Sequence, residues 1–395
     1  MKKIKILCLD IEGGHGGSSR SLFYSLEAIT KKKKKSIIDI TVICRKKSWL
    51  VNEYKKIGIT CLIEESMPRF TSLSKTNRNI YQLILFIFFI WPKSIKFRKK
   101  ILQMKNYDVL HFNHVSLGFL ALWCKYKDIG SLKTMHIRTM PPRNIFTKML
   151  YYISKIACNS FIYITENEKK HLHSLIGKPE VNEKIIYNPV KSNYKKNKNL
   201  LKDEKRFILG ILSNFSYNRG VDRTVEIFEK IPLPKRKKFV FVFGGDMTLE
   251  QNIPNIPKKF FENKLQFSDY IKSKGYEKNF IFLGQLQNPE ELMRNIHVLL
   301  KPTRLANPWG RDILEALAMG KPVISLGEYQ KFVENNLTGL LQKNYNPQEI
   351  ADWLLHLEKN RNQLKVFSIE CKKRIRHYCF PKTVSEQLIS VWLKK

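Results

Sequence analysis

Residues 302–324 read PTRLANPWGRDILEALAMGKPVI, and this stretch decides the fold predicted for the second half of the chain. The apolar run IHVLL just upstream has the composition of a buried strand. A polar loop follows to residue 309, Gly310 begins a helix, and Gly320 ends that helix. A second apolar strand begins at Pro322. The succession of strand, loop, helix and strand predicts one βαβ unit of a doubly wound sheet.

The helix that begins at Gly310 has the sequence features of a phosphate site. Free N–H groups near Gly310, Arg311 and Asp312 would point at an anion, and the helix dipole would add to the attraction. Glu315 lies about one turn further along, where its carboxylate would accept hydrogen bonds from hydroxyls beside the phosphate. An ordinary crossover helix with a solvated Glu315 has the same spacing, so the spacing alone leaves both interpretations open.

Length and composition predict two folded domains. The chain has 395 residues, of which 43% are hydrophobic, and this is enough for two cores. Its seven cysteines include no C-x-x-C pair and lie mostly in apolar runs. That pattern indicates buried, reduced thiols and argues against a zinc site or a disulfide framework. The basic start, MKKIKILCLD, has too short an apolar run for a signal peptide and is predicted to form a strand.

The net charge of +37 is the most unusual property of the composition. Three explanations fit this charge: a general bias of the proteome towards lysine, a nucleic-acid partner, or a position on an anionic membrane surface. The sequence contains no zinc-finger spacing, no RNP motif and no basic region followed by heptads. Nucleic acid is therefore the least favoured of the three and is not expected as a partner.

The first predicted strand is followed by a glycine-rich turn, EGGHGGSSR, at residues 12–20. Its glycines, Gly16 and Gly17 among them, would let the backbone approach a ligand closely and leave N–H groups free. The dinucleotide fingerprint is only half met, because Ser19 stands in place of the third glycine and no acidic residue clearly ends the second strand. A nicotinamide cofactor is therefore disfavoured, and a flexible turn without a ligand is the alternative.

The segment NIYQLILFIFFIWPKSIKFRKKILQ, residues 79–103, combines an apolar run with a basic one. Its apolar core, residues 81–91, is about half the length needed to span a bilayer, so we do not expect a transmembrane helix. Trp91 and the cations that follow it fit a helix lying in the headgroup plane. A core helix followed by a basic solvated face is the alternative, and the density of cations beside the apolar run favours the membrane.

Histidines and arginines follow two further predicted strands. DVLHFNH, residues 108–114, carries His111 and His114, and ligands of open α/β sheets bind at this edge of the strands. A histidine there could act as a general base or bind a sugar hydroxyl. A second edge, HIRTMPPRN, carries His136 and Arg138, and arginines there could hold a phosphate. Structural histidines and a plain surface turn are the alternatives.

The predicted elements fall into two sets, separated by a polar, lysine-rich segment. Residues 191–205, KSNYKKNKNLLKDEK, have little apolar periodicity and are predicted to be the linker. Residues 1–190 and 206–375 are predicted to be α/β domains, two Rossmann-like doubly wound halves that face across a cleft. The last segment, residues 376–395, is predicted to contain an amphipathic helix.

These motifs resemble family 4 glycosyltransferases of the GT-B fold, also described as glycosyl transferases group 1. The resemblance covers nearly the whole chain and is strongest in the second half. The family carries two glutamates eight positions apart, the second of which begins EAMAxGxPVI, and EALAMGKPVI from Glu315 onwards matches that block. Asn307 stands where the first glutamate belongs. The resemblance assigns Asn307 to the donor sugar, where its side chain can still form hydrogen bonds.

A second motif, SNFSYNRG, resembles the GR…KG element whose Arg and Lys clamp the donor diphosphate in this family. Arg219 stands at the Lys position and is followed by Gly220, whereas Asn214 stands at the Arg position. One cation is therefore kept and one is lost. Arg304 and Arg311 are candidates for supplying the missing charge.

The resemblance implies retaining, metal-independent transfer of a sugar from a nucleotide-diphosphate donor, a UDP-sugar first and a GDP-sugar second, with no other cofactor. The acceptor would be a glycan or a lipid-linked sugar in surface polysaccharide synthesis, at the cytoplasmic face of the cell membrane. Gly16 and Gly17 would meet the diphosphate, and either His111 or His114 would take the catalytic position. Residues 1–190 would bind the acceptor, the second domain the donor, and the tail helix would pack back on the first domain.

Two other functions fit the same architecture. One is a sugar-nucleotide 2-epimerase of the GT-B fold. The other is a non-catalytic scaffold on an anionic membrane, which the asparagines at positions 307 and 214 would explain. Replacement of Glu315 by Ala is expected to abolish nucleotide binding with little loss of stability.

Overall fold

The computed structural model describes most of the chain and divides it into two units. The described residues are 3–13, 17–31, 37–104, 106–191, 201, 204–250, 253–263, 265–286 and 288–393. The first unit comprises Met1–Pro189 together with Pro381–Lys395, and the second unit comprises Val190–Phe380. Most of the linker predicted at residues 191–205 lies outside the described residues.

The first unit is an α/β fold in which strands and helices alternate. In chain order its elements are β1 (Ile4–Asp10), α1 (Gly17–Lys31), β2 (Ile38–Cys44), α2 (Trp49–Lys56), β3 (Thr60–Ile63), α3 (Thr76–Leu85), a π-helical turn (Phe86–Ile90), α4 (Trp91–Lys93), α5 (Ile95–Gln103), β4 (Val109–Phe112), a 3-10 turn (Val115–Leu117), α6 (Gly118–Tyr126), β5 (Leu132–Ile137), α7 (Ile145–Ala157), β6 (Ser160–Tyr163), α8 (Glu166–Ile176) and β7 (Asn182–Ile185).

The described strands of the first unit form one parallel sheet with the order β3-β2-β1-β4-β5-β6-β7. Strand β1 shows why both faces of this sheet are covered. Leu7 and Leu9 belong to the core on one face, and Ile6 and Cys8 belong to the core on the other. Side chains alternate between the faces along a strand, so an unbroken apolar run such as this one requires helices on both sides.

The second unit repeats this architecture. In chain order its elements are β8 (Phe207–Leu212), a 3-10 turn (Tyr217–Arg219), α9 (Arg223–Lys230), α10 (Leu233–Arg236), β9 (Phe239–Gly244), α11 (Lys258–Glu262), α12 (Phe267–Ser273), β10 (Phe280–Phe282), α13 (Pro289–Asn295), β11 (Val298–Lys301), α14 (Arg311–Ala318), β12 (Val323–Leu326), β13 (Gly339–Gln342), α15 (Pro347–Lys359) and α16 (Gln363–Cys379). Its described strands form a parallel sheet with the order β10-β9-β8-β11-β12-β13.

The last helix, α17 (Pro381–Trp392), belongs to the first unit. It packs against α1, and Val384, Leu388 and Trp392 are buried in the core beneath it. The return to the first unit was predicted from residue 376, whereas the structure begins it at Pro381. The difference arises because α16 continues unbroken to Cys379, and proline is well suited to begin the next helix.

The apolar and basic segment of the first unit is a bent helical pair. Asn77–Lys93 and Ile95–Gln103 meet at an angle of 54°. Within the described part of the chain no single helix has the length and apolar composition to cross a bilayer. The two helices of this pair, its two arms, have that length and composition only when they are taken together.

Each sheet has one point where the order of its strands reverses. From β1 the chain moves outward to β2 and β3 and then returns to β4 on the other side of β1. From β8 it moves outward to β9 and β10 and then returns to β11. Parallel α/β sheets bind their ligands at the carboxyl ends of such neighbouring strands. The candidate sites are therefore the ends of β1 and β4 in the first unit, and of β8 and β11 in the second.

Candidate functional site

The N-terminus of α14 follows the loop that leaves β11. Gly310 is the N-cap residue, with extended backbone angles of φ −61° and ψ 155°. Added at this position, a Cβ atom would lie 2.2 Å from Nζ of Lys301. Only glycine therefore allows the ammonium group of Lys301 to lie against the start of the helix.

Lys301 is a cation that the sequence patterns did not identify. It ends β11, is only 7% exposed, and its Nζ lies 2.8 Å from Oδ1 of Asp312. Burial alone would raise the pKa of Asp312, but the charge and hydrogen bond of Lys301, together with the charge of Arg219, hold that pKa below its ordinary value. The signal in the sequence was a lysine at the end of the apolar run IHVLL, at the edge where ligands bind.

A small recess opens where β8 and β11 end. Its lining includes Ser213, Arg219, Lys301, Thr303 and Asp312. Two cations and one carboxylate thus meet at the strand-order reversal of the second sheet. This is the arrangement that attracts a phosphate group.

Gly220 brings the loop that carries Arg219 close to the loop that follows β11. It has a left-handed backbone with φ +66°, and a Cβ atom there would lie 2.2 Å from the carbonyl oxygen of Pro302. Thr303 strengthens the contact by donating its hydroxyl hydrogen to the carbonyl of Asn218 at 2.7 Å. The position of Arg219 beside the recess therefore depends on glycine at position 220.

Both arginines considered as replacements for the lost cation are engaged in ion pairs within the second unit. Arg304 donates to the two carboxylate oxygens of Asp222 at 2.9 and 2.6 Å. Nε of Arg311 lies 2.6 Å from Oε1 of Glu315, and both side chains are almost fully buried. Lys301 is also ion-paired, with Asp312, but it lines the recess and neither arginine does, so the structure favours Lys301 as the second cation of the site.

The two asparagines that stand at family positions have different surroundings. Asn214 is exposed just beyond the end of β8. Asn307 is partly buried in the loop before α14, and within the described residues its Oδ1 atom is buried without a hydrogen-bond partner. A buried acceptor of this kind is suited to receive a hydrogen bond from a ligand.

In the first unit a chain of polar side chains connects the ends of the central strands. Asn113 donates to Oδ1 of Asp10 at 2.9 Å and accepts a hydrogen bond from Nε of Arg138 at 2.7 Å. Arg138 also donates to Oδ1 of Asn188 at 2.8 Å. Burial raises the pKa of Asp10, and the charge of Arg138 opposes that effect. Arg138 is thus fixed at the strand edge, as a residue that positions its neighbours.

The glycine-rich turn is only partly described. Gly13 needs its small size, because a Cβ atom would lie 2.2 Å from the carbonyl oxygen of Lys46. Gly17 begins α1. Gly16 lies outside the described residues, so its contact with a diphosphate stays a prediction.

His111 lies in β4, and its ring is fully buried against α17. The indole N–H of Trp392 donates to its Nδ1 at 3.3 Å, and the hydroxyl of Thr134 lies 2.9 Å from the same atom. Burial, and then the charge of Arg138, lower the pKa of His111 to about 3. The ring of His136 packs edge-on against it at 5.5 Å and is also buried. Both rings are buried, and His111 contacts α17 through Trp392; the catalytic role of His111 and the acceptor role of His136 stay predictions.

His114 follows β4 and is the histidine at the strand edge. Its Nδ1 accepts a hydrogen bond from the backbone N–H of Ser116 at 3.1 Å, and its Nε2 lies 3.3 Å from the hydroxyl of Thr139. Burial, followed by the charges of Arg69 and Arg138, lowers the pKa of His114 to about 4. The imidazole is therefore neutral near pH 7 and able to accept or donate a hydrogen bond.

Two parallel, Rossmann-like sheets with helices on their faces define the architecture as that of the GT-B glycosyltransferases, which confirms the predicted fold class. The structure of Anabaena Alr3699/HepE in complex with UDP and glucose superposes with a TM-score of 0.74 over 99% of this chain and 100% of that chain, at 16% identity.

Sequence comparison points to the same class. Residues 192–374 match the family described as Glycosyl transferases group 1. The O-antigen biosynthesis glycosyltransferase WclY of Escherichia coli is 23% identical over 289 residues, which are 66% of this chain and 73% of WclY. The poly(ribitol-phosphate) alpha-N-acetylglucosaminyltransferase of Staphylococcus aureus is 23% identical over 189 residues, 47% of this chain and 34% of that protein. The chain thus has glycosyltransferase homologues in O-antigen and polysaccharide synthesis.

Proposed function

We propose that the protein is a retaining, metal-independent glycosyltransferase that moves a sugar from a nucleotide-diphosphate donor, a UDP-sugar, to a glycan or lipid-linked acceptor in surface polysaccharide synthesis. The observation that carries the proposal is the recess where β8 and β11 end, with Arg219, Lys301 and the N-terminus of α14 around it. The complex of Anabaena Alr3699/HepE with UDP and glucose supports the choice of uridine.

The two cations would stabilise the leaving nucleoside diphosphate. Negative charge builds on the diphosphate as its bond to the sugar breaks, and fixed positive groups stabilise that charge most effectively in a partly dry site. Arg219 and Lys301 would supply this charge together with the N–H groups at the start of α14. A divalent metal is then not required for this role, and transfer should proceed in EDTA.

Glu315 would hold the ribose of the donor. It lies within the second turn of α14, and its ion pair with Arg311 fixes the carboxylate from one side. The family's role for this residue needs an oxygen that accepts hydrogen bonds from ribose hydroxyls. Asn307 would contribute its buried side-chain oxygen to the donor sugar.

His114 would serve the acceptor or the transferred sugar. Its low pKa keeps the ring neutral, so it would bind a sugar hydroxyl or orient it without carrying charge. Arg138 and Asn113 would keep the loop around it rigid. We propose that the reaction takes place in the cytoplasm, at the inner face of the cell membrane, where lipid-linked acceptors are found.

Thermal unfolding with a panel of nucleotides tests the donor site. UDP should raise the midpoint of the parent protein more than GDP, ADP or dTDP, and the shift should survive moderate salt. Binding driven by net charge alone would be weak, independent of the base and abolished by salt. A panel without any selective shift would contradict the proposal.

Product analysis tests the reaction itself. With a UDP-sugar and an acceptor glycan, NMR of the new glycosidic bond should show the anomeric configuration of the donor, in the presence of EDTA. Inversion would refute the retaining mechanism, and loss of turnover in EDTA would refute metal independence.

One further function has a specific observation in its favour. Asn214 and Asn307 stand where group members carry charged residues, as expected of a transferase-like scaffold without catalytic activity. Such a scaffold would bind UDP weakly or not at all and would release no UDP from a UDP-sugar. Turnover by the parent protein would eliminate it.

A further inference from the structure

The bent helical pair of the first unit exposes a large apolar surface, which we call the apolar ridge. Phe88 and Phe89 are 67% and 65% exposed, far more than a large aromatic side chain of a folded core. The ridge consists of Ile80, Tyr81, Ile84, Ile87, Phe88, Phe89, Ile90 and Ile95. A contiguous exposed run of this size marks an interaction surface, because isolated proteins rarely leave one uncovered.

The helix that carries the ridge is firmly packed on its other side. Phe86 is buried, and its ring lies 4.9 Å from Phe119 and 5.8 Å from Phe70. The side chain of Asn79 exchanges two hydrogen bonds with the backbone of Leu73, each of 2.7 Å. The exposure of the ridge is therefore a property of a well-ordered helix.

The bend between the two arms is also fixed by specific contacts. Ser94 donates its hydroxyl hydrogen to the carbonyl of Trp91 at 2.6 Å. Arg98 donates to the same carbonyl at 3.1 Å and stacks over the indole of Trp91 at 4.4 Å. Beyond the bend, Phe97 and Ile101 are buried in the core of the first unit. The pair is thus anchored in that core at both arms.

Positive charge surrounds the ridge. Residues 66–107 contain nine lysines and arginines and no aspartate or glutamate. Lys93, Lys96 and Lys99 are exposed on the same helical pair as the ridge. The surface therefore combines apolar side chains with a local charge of one sign, which is the combination that recognises anionic lipid.

We propose that the apolar ridge docks on the surface of a bilayer that contains anionic lipid. The ridge side chains lie among the upper acyl chains, the helical pair lies along the surface, and Lys93, Lys96 and Lys99 extend to the lipid phosphates. A second copy of the chain is a poorer occupant, because a symmetric dimer would bring the two clusters of lysines together. The inference does not depend on the proposed reaction and uses residues outside the donor site.

Vesicle flotation of the full chain tests this docking. Vesicles of phosphatidylcholine with about one-third phosphatidylglycerol should carry the protein, whereas pure phosphatidylcholine should carry much less, and added salt should weaken the binding. Phe88→Ser with Phe89→Ser should lower the vesicle affinity by about tenfold or more, because both side chains enter the acyl region. Neutralising one lysine at the lipid surface is expected to lower the vesicle affinity by about fivefold. Lys96→Glu with Lys99→Glu reverses both charges and should therefore lower the vesicle affinity by more than about fivefold for each lysine.

Matched controls come from helix α16 of the second unit. Val366 and Ile369 are 61% and 65% exposed, so Val366→Ser with Ile369→Ser removes similar apolar area elsewhere and should leave vesicle binding unchanged. Lys365→Glu with Lys373→Glu makes the same change of charge on exposed positions of α16. Unaltered thermal midpoints would verify that all four variants fold.

Three outcomes would overturn the proposal. The first is no recovery with either lipid. The second is an equal loss of binding in the Lys96→Glu, Lys99→Glu variant and in the Lys365→Glu, Lys373→Glu control, which would indicate attraction by net charge alone. The third is a parent protein that sediments as a dimer and becomes a monomer in the Phe88→Ser, Phe89→Ser variant without binding vesicles. A normal UDP-induced thermal shift in a variant that no longer floats would separate this surface from the donor site.

Discussion

Replacement of Lys301 by Met should weaken the binding of UDP strongly while leaving the binding of uridine almost unchanged. The ammonium group is buried beside the start of α14 and forms an ion pair of 2.8 Å with Asp312. A hydrogen bond to a charged group contributes about 1.5–3 kcal/mol. Loss of that contact should therefore raise the Kd for UDP by roughly 10- to 100-fold. Methionine keeps most of the volume of the lysine stem, so the fold should survive.

Asp312 must be controlled, because Lys301→Met alone leaves a carboxylate that repels the diphosphate. The double variant Lys301→Met with Asp312→Asn removes both charges and leaves the net charge of the site unchanged. If Lys301 contacts the phosphate, the double variant should bind UDP better than the single variant but still clearly more weakly than the parent. If Lys301 only neutralises Asp312, the double variant should bind UDP as the parent does.

Titration calorimetry with uridine, UMP and UDP provides the assay. The loss should grow from uridine to UDP, because only the phosphates approach the ammonium group. Lys343→Met is the matched control: Lys343 pairs with Glu328 in solvent, with both side chains about 70% exposed, and should give parental affinities. An equal loss for all three ligands, or full recovery in the double variant, would refute the reasoning.

Substitutions at three further positions test other features of the two units. Gly310→Ala should lower UDP affinity with little loss of stability, because its Cβ would lie 2.2 Å from Nζ of Lys301 and would displace the flexible end of that side chain; a parental UDP affinity would contradict the geometry. Glu315→Ala should lower the free energy of unfolding by about 3 kcal/mol, because it breaks a buried ion pair. Glu315→Gln is therefore the better probe of ribose binding, and it should weaken the binding of UDP and of uridine alike. The pKa of His111 falls from 6.5 to about 3 on folding, so protons bind the unfolded chain first and stability should decline as pH falls between these values, by up to about 1.4 kcal/mol per pH unit. Urea unfolding at several pH values measures this. His114 and His297, whose pKa values burial also lowers to about 4, add to the same decline, so His111→Gln should reduce the slope without removing it; an unchanged slope would count against a buried neutral ring.

Glu315 shows what local reasoning about a motif could not reveal. Its place in the helix after Gly310 followed from the sequence, and the structure confirms a helix capped by Gly310. The sequence alone predicts little loss of stability for Ala at this position, because it carries no sign of how deeply the side chain is buried. In the structure Glu315 is 2% exposed and paired with Arg311, one turn away on the same helix.

The strand ends were the most predictable part of the fold. Apolar runs and the polar residues that end them identified the ends of β1, β4 and β11 to within a residue or two. Parallel sheets place those ends at one edge, so the location of a ligand site in each half followed from the order of the elements.

The assignment of individual side chains could not be made this way. His111 and His114 are only three residues apart in the sequence. Which of the two rings is fully buried depends on where β4 ends and on which face of the sheet α17 covers. Trp392, which bonds to His111, is remote in the sequence. The position of the Lys301 ammonium group in the recess was equally hidden, because a lysine at a strand end has no periodic signature. The exposure of Phe88 likewise depends on which side of its helix the core occupies.

A crystal structure of the protein with UDP would show whether Lys301 and Arg219 hold the diphosphate. We expect diphosphate oxygens at about 3 Å from Nζ of Lys301 and from the guanidinium of Arg219, with further hydrogen bonds from N–H groups at the start of α14. Glu315 should then contact the ribose hydroxyls. An ordered UDP molecule bound elsewhere, with Lys301 still paired only to Asp312, would contradict it.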